Sequence, residues 1–600
     1  MNHVSSNLGQ TIPHLMDYIV DRHGNKDALL IKPTIRYWRW SYKQLWEDAA
    51  KAASFIKEKG LTKGDRVIIW GPNSPYWVIT LLACLRLGII VVPLDLRSPL
   101  DYVTKVISQT KPKIAFISKF TPDYEWQKHI NLVDLDTYEN QYSALTQSSI
   151  EQLDPDDVAE IMFTSGTTGE PKGVILTHFN LVSNLIGTIE RITPKPNTRL
   201  MSVLPLSHMF EQMGGLFVAL YYGSSITYAT SRQPAALTKL MKERKITTLL
   251  IVPQGLELLM NSIFREAERK GKLKLLIFLL SLSKPIPIFA RRLVFKRNVL
   301  AGLGGALDLI ISGGAALPRS LAEKWEGFGI KIVQGYGATE ASPSISTNSI
   351  KNRNLDSVGK PLFNLQVKLG ESDEILVKGP SITPGYWNSP NVTKETFQDG
   401  WYKTGDLGNI DSKGDLYIKG RKKDMIVLSN GQNVYPEDIE TILNTHPEID
   451  SSVILGINKG DSVNVHAVVI ASNPSNISKA IEFTNTQLAE HQKIRDYTIW
   501  EEEDFPRTHT LKIKKNLVAE QIQNETGSEK EKITSKSDSP TKESRTVEHL
   551  IAEICEKELS ELKPELTLGE DLGIDSLGRV EILSAIESDF GIYIDENEIT

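Results

Sequence analysis

The sequence predicts an α/β protein built on largely parallel sheets, followed by a smaller unit of short strands and then by a separate acidic segment. Three observations carry this. Short β-branched runs alternate with amphipathic helical patterns over most of the chain, which is the signature of parallel sheets joined by helical crossovers. From about residue 366 the strands shorten into hairpin-like pieces, with a change of architecture near residues 410 to 425. Charge is also segregated: residues 547 to 600 hold 15 Asp/Glu against 3 Lys/Arg, so the formal net charge of −6 divides into −12 there and +6 before it.

The elements follow in order. Helical patterns cover 42 to 59 and 76 to 87, and strands are expected at "DRVIIWG" (65 to 71), "IIVVPLD" (89 to 95), "KIAFIS" (113 to 118) and "TLLIVP" (248 to 253). Between the third and fourth of these strands lies "FTSGTTGEPKGV" (163 to 174), in which glycines stand among four hydroxyl side chains and Lys172 follows a proline. Glycine admits close approach of backbone N–H groups, and Thr164, Ser165, Thr167 and Thr168 add donors, so a many-oxygen anion such as a triphosphate fits the loop. Composition alone also allows a surface turn, as the lesser alternative. The P-loop pattern is excluded, because Gly173 follows Lys172 where that motif needs a hydroxyl for magnesium.

The run from Arg269 to Arg297 holds nine Lys/Arg and no acid around "LLIFLLSLS" and "IPIFA". It is interrupted by Lys284 and two prolines and is too short to span a bilayer, which needs about 20 apolar residues. It reads either as a basic, apolar surface in peripheral contact with an anionic membrane or as a helical insertion packed on its domain. The hairpin-like pieces "QVKLG", "EILVKG" and "DLYIKG" come next. From Asn524 to Thr546 the single aliphatic residue is Ile533. That composition predicts a disordered linker, with a mean reach of roughly 25 Å for a flexible coil of this length.

With 600 residues, 40% hydrophobic and 24% charged, the chain is expected to hold about three to five globular domains. Its first residues lack a basic start before an apolar run, so no secretory signal is read. Cys84 and Cys555 are too few for a disulfide framework or a Cys-rich metal site. A cytoplasmic protein is the expectation, with the basic segment as its candidate for peripheral contact at a membrane surface. No basic stripe with interleaved aromatics suggests nucleic-acid binding.

After the loop come, in order, "SGGAALP" (312 to 318), "QGYGATEAS" (334 to 342), "EILVKGPSITPGYW" (374 to 387), "WYKTGDLG" (401 to 408), "IKGRKKDMIVLSNGQNVYPEDIE" (418 to 440) and "PRTHTLKIKK" (506 to 515). Together these motifs resemble the adenylate-forming superfamily of acyl-CoA synthetases, luciferases and peptide-synthetase adenylation domains, over about residues 10 to 520. The resemblance implies a large adenylate-forming domain over 1 to 420 and a small mobile α+β domain over 421 to 520 with its hinge at Lys423. It also implies that Thr164, Ser165, Gly166, Thr167, Thr168, Gly169 and Lys172 cradle the ATP phosphates. Gly313, Gly314, Ala315 and Gly335 would then border the nucleotide. Tyr336 would stack on adenine, Thr339 would donate to the α-phosphate, and Glu340 would ligate Mg2+. Asp406 would accept the ribose hydroxyls, with Arg421 as its partner. Lys512 matches the lysine that bridges carboxylate and α-phosphate. Leu511 stands where the usual pattern has Gly, a departure that resembles the long-chain fatty acyl-CoA synthetases. Taken singly, each of these residues also reads as an ordinary turn or surface charge.

The chemistry makes sense of the set. A carboxylate does not acylate a thiol at neutral pH, because oxide would have to leave; a mixed anhydride with AMP supplies a leaving group. Charge neutralisation around phosphates therefore matters more than a protein nucleophile. "LPLSHMFEQ" (204 to 212) and the insertion resemble the long-chain fatty acyl branch, which points to a medium- or long-chain fatty acid, with an aryl acid as the alternative. His208 either lines the acyl pocket or packs at a helix start.

The acidic end, "LGEDLGIDSLGRVEILSAIESDFGI", resembles an acyl carrier protein, an all-α helical bundle, over residues 547 to 600. Ser576 then carries 4'-phosphopantetheine, added by a phosphopantetheinyl transferase; Ser after Asp is also an ordinary helix N-cap. A carrier usually has further helices beyond "IDENEIT", so either the sequence is cut there or the domain is incomplete; if the natural chain continues, a downstream acyl-accepting enzyme or domain is expected. Three functions remain: an acyl-AMP-forming ligase that loads its own carrier, a fatty acyl-CoA synthetase whose carrier is loaded by another donor, and a non-catalytic nucleotide-binding scaffold.

Overall fold

The computed structural model describes residues 9–122, 130–165, 170–231, 233–429, 432–459, 462–471, 476–502, 504–507 and 513–528. By internal contacts the chain divides into two units, Met1–Glu520 and Gln521–Thr600.

Two large sheets organise the first unit. The six-stranded sheet runs Asn131–Asp134, Ile114–Ile117, Arg66–Trp70, Ile90–Leu94, Val158–Ser165, Pro171–Thr177. All its pairings are parallel except the last, a hairpin. The nine-stranded sheet places six parallel strands side by side, from Asp27–Ile31 through Ser225–Tyr228, Arg199–Ser202, Thr248–Ile251 and Leu309–Ser312 to Lys331–Gly337. Antiparallel strands close both of its edges. The expected strands at 65–71, 89–95, 113–118 and 248–253 are Arg66–Trp70, Ile90–Leu94, Ile114–Ile117 and Thr248–Ile251, and the helical patterns are Tyr42–Glu58 and Pro75–Arg86.

Strands paired on both sides read as continuous apolar runs, and helices cover their faces. Helix Pro75–Arg86 is buried along its whole length, which is why its sequence lacks a polar face. Its side chains join those of helices Ile12–His23, Tyr42–Glu58 and His178–Arg191 and of both sheets in one hydrophobic core. Ser41, Ser74 and Thr177 cap three of these helices by accepting from the N–H groups of Gln44, Trp77 and Asn180.

From Gln366 to Arg421 the strands pair antiparallel. Gln366–Leu369, Glu374–Lys378, Phe397–Gln398, Trp401–Ile410 and Leu416–Arg421 form a five-stranded sheet. Beyond a single turn at Lys422–Asp424, residues from Ile426 onward build a core of their own, including Val434, Ile439, Ile454, Val465 and Ala480. Its sheet pairs Ser451–Lys459 with Ser462–Ile470 antiparallel and the latter with Asp496–Ile499 parallel.

Helix Lys515–Ser528 runs into the first residues of the expected linker. Beyond Ile522, the last aliphatic residue before the linker, the good helix formers Gln523 and Glu525 continue the helix. The rest of 524 to 546, and the whole carrier-like segment, lie outside the described residues.

Candidate active site

The Ser/Thr/Gly loop sits at the tip of a hairpin. Val158–Ser165 pairs antiparallel with Pro171–Thr177 in a register that puts Thr164 opposite Lys172 and Ser165 opposite Pro171. Gly173 is required there: a Cβ would lie 2.8 Å from Ile161 Cγ2 and 2.9 Å from the Phe163 ring. Gly166, Thr167, Thr168 and Gly169 lie outside the described residues, so the structure fixes the two stems of the loop.

A second segment is laid against this hairpin. The Ile175 N–H donates to Gly385 O at 3.1 Å and the Trp387 N–H to Gly173 O at 2.7 Å, while Thr383 Oγ1 donates to Ile175 O at 2.5 Å. The same segment then reaches the "YGATE" turn. Tyr386 Oη donates to Glu340 Oε1 at 2.8 Å, and the Thr383 N–H donates to Glu340 O at 2.8 Å. Residues 383 to 387 thus fasten the turn that carries Thr339 and Glu340 to the stem of the loop. Burial first, and the Glu340 carboxylate second, push the Tyr386 hydroxyl well above the ordinary tyrosine range, so it stays a neutral donor at working pH.

The turn itself follows strand Lys331–Gly337. A Cβ on Gly337 would lie 2.0 Å from Pro343 O, so this position admits only glycine as the chain folds back. Asn184, fully buried in helix His178–Arg191, donates from Nδ2 to Ala341 O and Ser344 O, both at 2.8 Å. Gly313, Gly314 and Ala315 follow the adjacent parallel strand Leu309–Ser312, and Gly314 has φ +83°. The Cβ position of Gly313 is 3.5 Å from Gly335 O. Gly313 to Ala315 and Gly335 to Tyr336 therefore lie at the carboxyl ends of neighbouring parallel strands, where open α/β sheets bind ligands.

Asp406 and Arg421 come from another sheet. Strands Trp401–Ile410 and Leu416–Arg421 place these two residues directly opposite each other. Arg421 Nε lies 2.8 Å from Asp406 Oδ1, and Tyr336 Oη donates to Asp406 Oδ2 at 2.5 Å. One carboxylate oxygen is thus ion-paired with Arg421 and the other hydrogen-bonded by Tyr336. A carboxylate has about four acceptor sites, so capacity remains for two more donors, the number a ribose diol offers. Burial, reinforced by Asp406, raises the Tyr336 hydroxyl far above the ordinary range. For Arg421, burial is the largest single influence and works to lower the pKa, but Asp406 together with Tyr336, Tyr402 and Asp424 outweighs it, and the pKa is raised.

Sequence reasoning left His208 between lining an acyl pocket and packing at a helix start, and the structure places it at the start of a helical run. Its carbonyl accepts from the N–H groups of Glu211 and Gln212, each at 3.1 Å, which starts the helical run. Its Nε2 lies 3.1 Å from Asp95 Oδ2. Arg97 adds hydrogen bonds to Asp95 from its N–H at 2.9 Å and its Nε at 3.2 Å. Burial works to raise the Asp95 pKa, but the hydrogen bonds from His208 and Arg97 outweigh it and hold the carboxyl well below the usual range.

Just beyond His208, Glu211 and Gln212 are fully buried. Ser202 Oγ donates to Glu211 Oε1 at 2.5 Å, and Gln212 Nε2 donates to Glu160 Oε2 at 3.0 Å. Glu160 belongs to the strand that carries the loop. Burial pushes its carboxyl up to about 7, against the hydrogen bond from Gln212.

Lys423 lies exposed in the turn between the antiparallel sheet and the C-terminal core. Lys512 lies outside the described residues; Arg507 and Ile513, on either side of residues 508 to 512, form a β-bridge. Ser576 is likewise outside them. Sequence reasoning missed Asn184, Asp95, Glu160 and Tyr386. Tyr386 lies inside a quoted motif, and Asn184 was marked by its place among apolar residues in "NLVSNLIG".

Comparison with known proteins places this geometry. Residues 17–387 match the AMP-binding enzyme family, residues 423–527 the AMP-binding enzyme C-terminal domain, and residues 545–600 the phosphopantetheine attachment site. A 2-succinylbenzoate–CoA ligase of Bacillus licheniformis is 28% identical over 462 residues, covering 75% of this chain and 88% of that protein. A long-chain-fatty-acid–CoA ligase of Mycobacterium bovis is 27% identical over 593 residues, covering 84% and 97%. The structure of o-succinylbenzoate CoA synthetase from Bacillus subtilis, in complex with its acyl-adenylate intermediate, superposes with a TM-score of 0.71 at 23% identity, over 84% of this chain and 97% of that one.

Proposed function

We propose that this chain, which belongs to the AMP-binding enzyme family, activates a medium- or long-chain fatty acid as acyl-AMP and passes the acyl group to a phosphopantetheine thiol. It is an adenylate-forming acyl ligase with a carrier domain. The observation that carries the finer reading is the fusion itself: a phosphopantetheine attachment domain follows the activating domains in one chain. A long-chain fatty-acid ligase that aligns over 97% of its own length supports the choice of acid.

In the first half-reaction a carboxylate oxygen of the acid attacks the α-phosphorus of ATP, the bond to the bridging oxygen breaks, and pyrophosphate leaves. Thr164 to Lys172 hold the β- and γ-phosphates, Thr339 donates to the α-phosphate, and Lys512 neutralises the charge gathering between carboxylate and phosphate. Tyr336, Gly313 to Ala315 and Gly335 border the adenine, and Asp406, held by Arg421, accepts the ribose hydroxyls. In the second half-reaction the thiolate attacks the acyl carbon and AMP leaves. The turn at Lys423 lets the small domain change its presentation between the two.

Among the described residues no group of three or more His, Cys, Asp or Glu side chains is placed to hold a metal ion. Magnesium commonly binds through one or two carboxylates and substrate phosphates rather than an all-protein cage. Glu340, a single carboxylate oriented by Tyr386, fits that habit. When bound, the ion would neutralise phosphate charge.

The acceptor is Ser576 phosphopantetheine in cis, after modification by a phosphopantetheinyl transferase, or CoA. The fused attachment domain favours the carrier in cis, and relatives named as CoA ligases support CoA as the second reading. The 2-succinylbenzoate ligase also favours an aryl acid as the second reading of the substrate. Pyrophosphate–ATP exchange with a panel of C8 to C18 fatty acids, 2-succinylbenzoate and simple aryl acids tests the proposal. Exchange should be strongest with a fatty acid; exchange driven only by an aryl acid would overturn the substrate assignment, and no exchange with any acid would overturn the activity.

A further inference from the structure

The structure sorts the nine cations between Arg269 and Arg297. Arg269 and Lys270 are paired with Glu266, at 3.0 and 2.7 Å. Arg291 donates to the carbonyls of Ile286, Lys284 and Glu326, and Arg292 donates to those of Leu307 and Gly329. Arg291 and Arg292 thus tie the insertion to neighbouring segments, while Arg269 and Lys270 pair locally at their own helix end. The other five, Lys272, Lys274, Lys284, Lys296 and Arg297, are exposed and have no ion-pair partner among the described residues.

The apolar residues divide in the same way. Helices Leu273–Ser283 and Ile288–Phe295 are joined by a short link containing Pro285 and Pro287. On the inner side Leu276 is buried, Leu280 Cδ2 lies 2.8 Å from the Cβ position of Gly327, and Phe295 packs edge-on against Phe328 with ring centroids 5.1 Å apart. On the outer side Leu275, Phe278 and Leu282, spaced three and four apart, are 51%, 57% and 52% exposed, and Phe289 and Leu293 are 74% and 75% exposed. A surface helix ordinarily turns polar residues outward. Here the outward face is Leu and Phe, with unpaired cations around it.

We propose that this face docks on an anionic lipid surface, the apolar side chains entering the acyl boundary and the five cations meeting phosphate headgroups. Charge complementarity selects this occupant, since apolar burial plus attraction to anionic lipid is the basis of interfacial helix binding. The geometry also excludes crossing: eleven residues at 1.5 Å each give about 16 Å, roughly half the hydrocarbon thickness. No described helix is long and apolar enough to span a membrane. Docking needs neither ATP nor an acid, so it stands or falls apart from the catalytic reading.

The test is cosedimentation of the full chain with vesicles of phosphatidylcholine alone and of 3:1 phosphatidylcholine and phosphatidylglycerol, at low and high salt. Binding is expected only to the anionic vesicles and should weaken with salt. One basic residue near an anionic leaflet is worth about fivefold in partitioning, so Lys272→Ala/Lys274→Ala/Lys284→Ala should bind on the order of 10²-fold more weakly. Phe278→Ser/Phe289→Ser/Leu293→Ser should also lose binding. Both triple variants should keep the circular dichroism spectrum of the parent, since every substituted residue is exposed. Equal binding to both vesicle types, no binding, or unchanged binding by either variant would overturn the proposal. So would a vesicle-free dimer, seen by sedimentation velocity, that the Phe278/Phe289/Leu293 variant dissociates, because the face would then belong to a second copy.

Discussion

Tyr386→Phe removes one oxygen and keeps the ring. The side chain is 8% exposed, and its ring lies 6.1 Å from Phe397, so the packing survives and the lost interaction is the 2.8 Å hydrogen bond to Glu340 Oε1. A hydrogen bond to an ionised group contributes about 1.5–3 kcal/mol. If Glu340 ligates magnesium, Tyr386 acts through it as a positioning residue, and losing such a partner typically lowers metal affinity about 10–100-fold. The assay is pyrophosphate–ATP exchange titrated with Mg2+ at fixed ATP. The half-saturating Mg2+ concentration should rise by about 10-fold or more, while the rate at saturating Mg2+ should stay within a few-fold of the parent. A variant with the parent's Mg2+ dependence and a reduced maximal rate would refute the reasoning, because Tyr386 would then serve the hairpin and not Glu340.

Asp406→Asn should raise the KM for ATP by about 10–100-fold, since it removes the charge that Arg421 and Tyr336 meet and weakens an acceptor of the ribose; an unchanged KM would remove Asp406 from the nucleotide site. Glu160 contributes to pH dependence through a carboxyl raised from its ordinary 4.5 to about 7. A raised carboxyl favours the folded state while protonated, so its contribution is present below pH 4.5 and is lost as pH rises through 7, in total about 3 kcal/mol. Denaturant unfolding at pH 5 and pH 8.5 should therefore show the stability of Glu160→Gln rising relative to the parent at the higher pH, and a constant difference would contradict it. Lys512→Ala should slow acyl-AMP formation by on the order of 10²–10³. Lys423→Pro should spare adenylation more than thioester formation; equal loss of both half-reactions would count against a hinge at that turn.

The parallel-sheet architecture was legible because its strands are buried on both faces: "VIIW" and "IVVPL" leave little choice of conformation once turn residues bound them. The Asp406–Arg421 pair was legible only through the family resemblance; the structure supplies the physical reason, since both residues lie on strands of one hairpin whose register brings them together. Contacts between distant segments were not legible. His208 and Asp95 are 113 positions apart, and Gln212 and Glu160 are 52 apart; only the packing of a helix start against strand ends makes them neighbours. Tyr386 was hidden for the same reason, because its hydroxyl finds Glu340 only after its segment has paired with the loop hairpin. The basic insertion shows a middle case. Its charge and its prolines were plain in the sequence, but periodicity did not tell which of its apolar residues face inward, because leucine and phenylalanine occupy both faces.

The central claim is that one chain both activates a fatty acid and receives it. Intact-protein mass spectrometry of the phosphopantetheinylated chain, incubated with ATP, Mg2+ and a set of fatty acids without CoA, tests it most directly. The account predicts a mass gain of one acyl group that is absent in Ser576→Ala and strongly slowed in Lys512→Ala. No acyl gain, with acyl-CoA appearing once CoA is supplied, would contradict it and leave a CoA ligase whose carrier serves another donor.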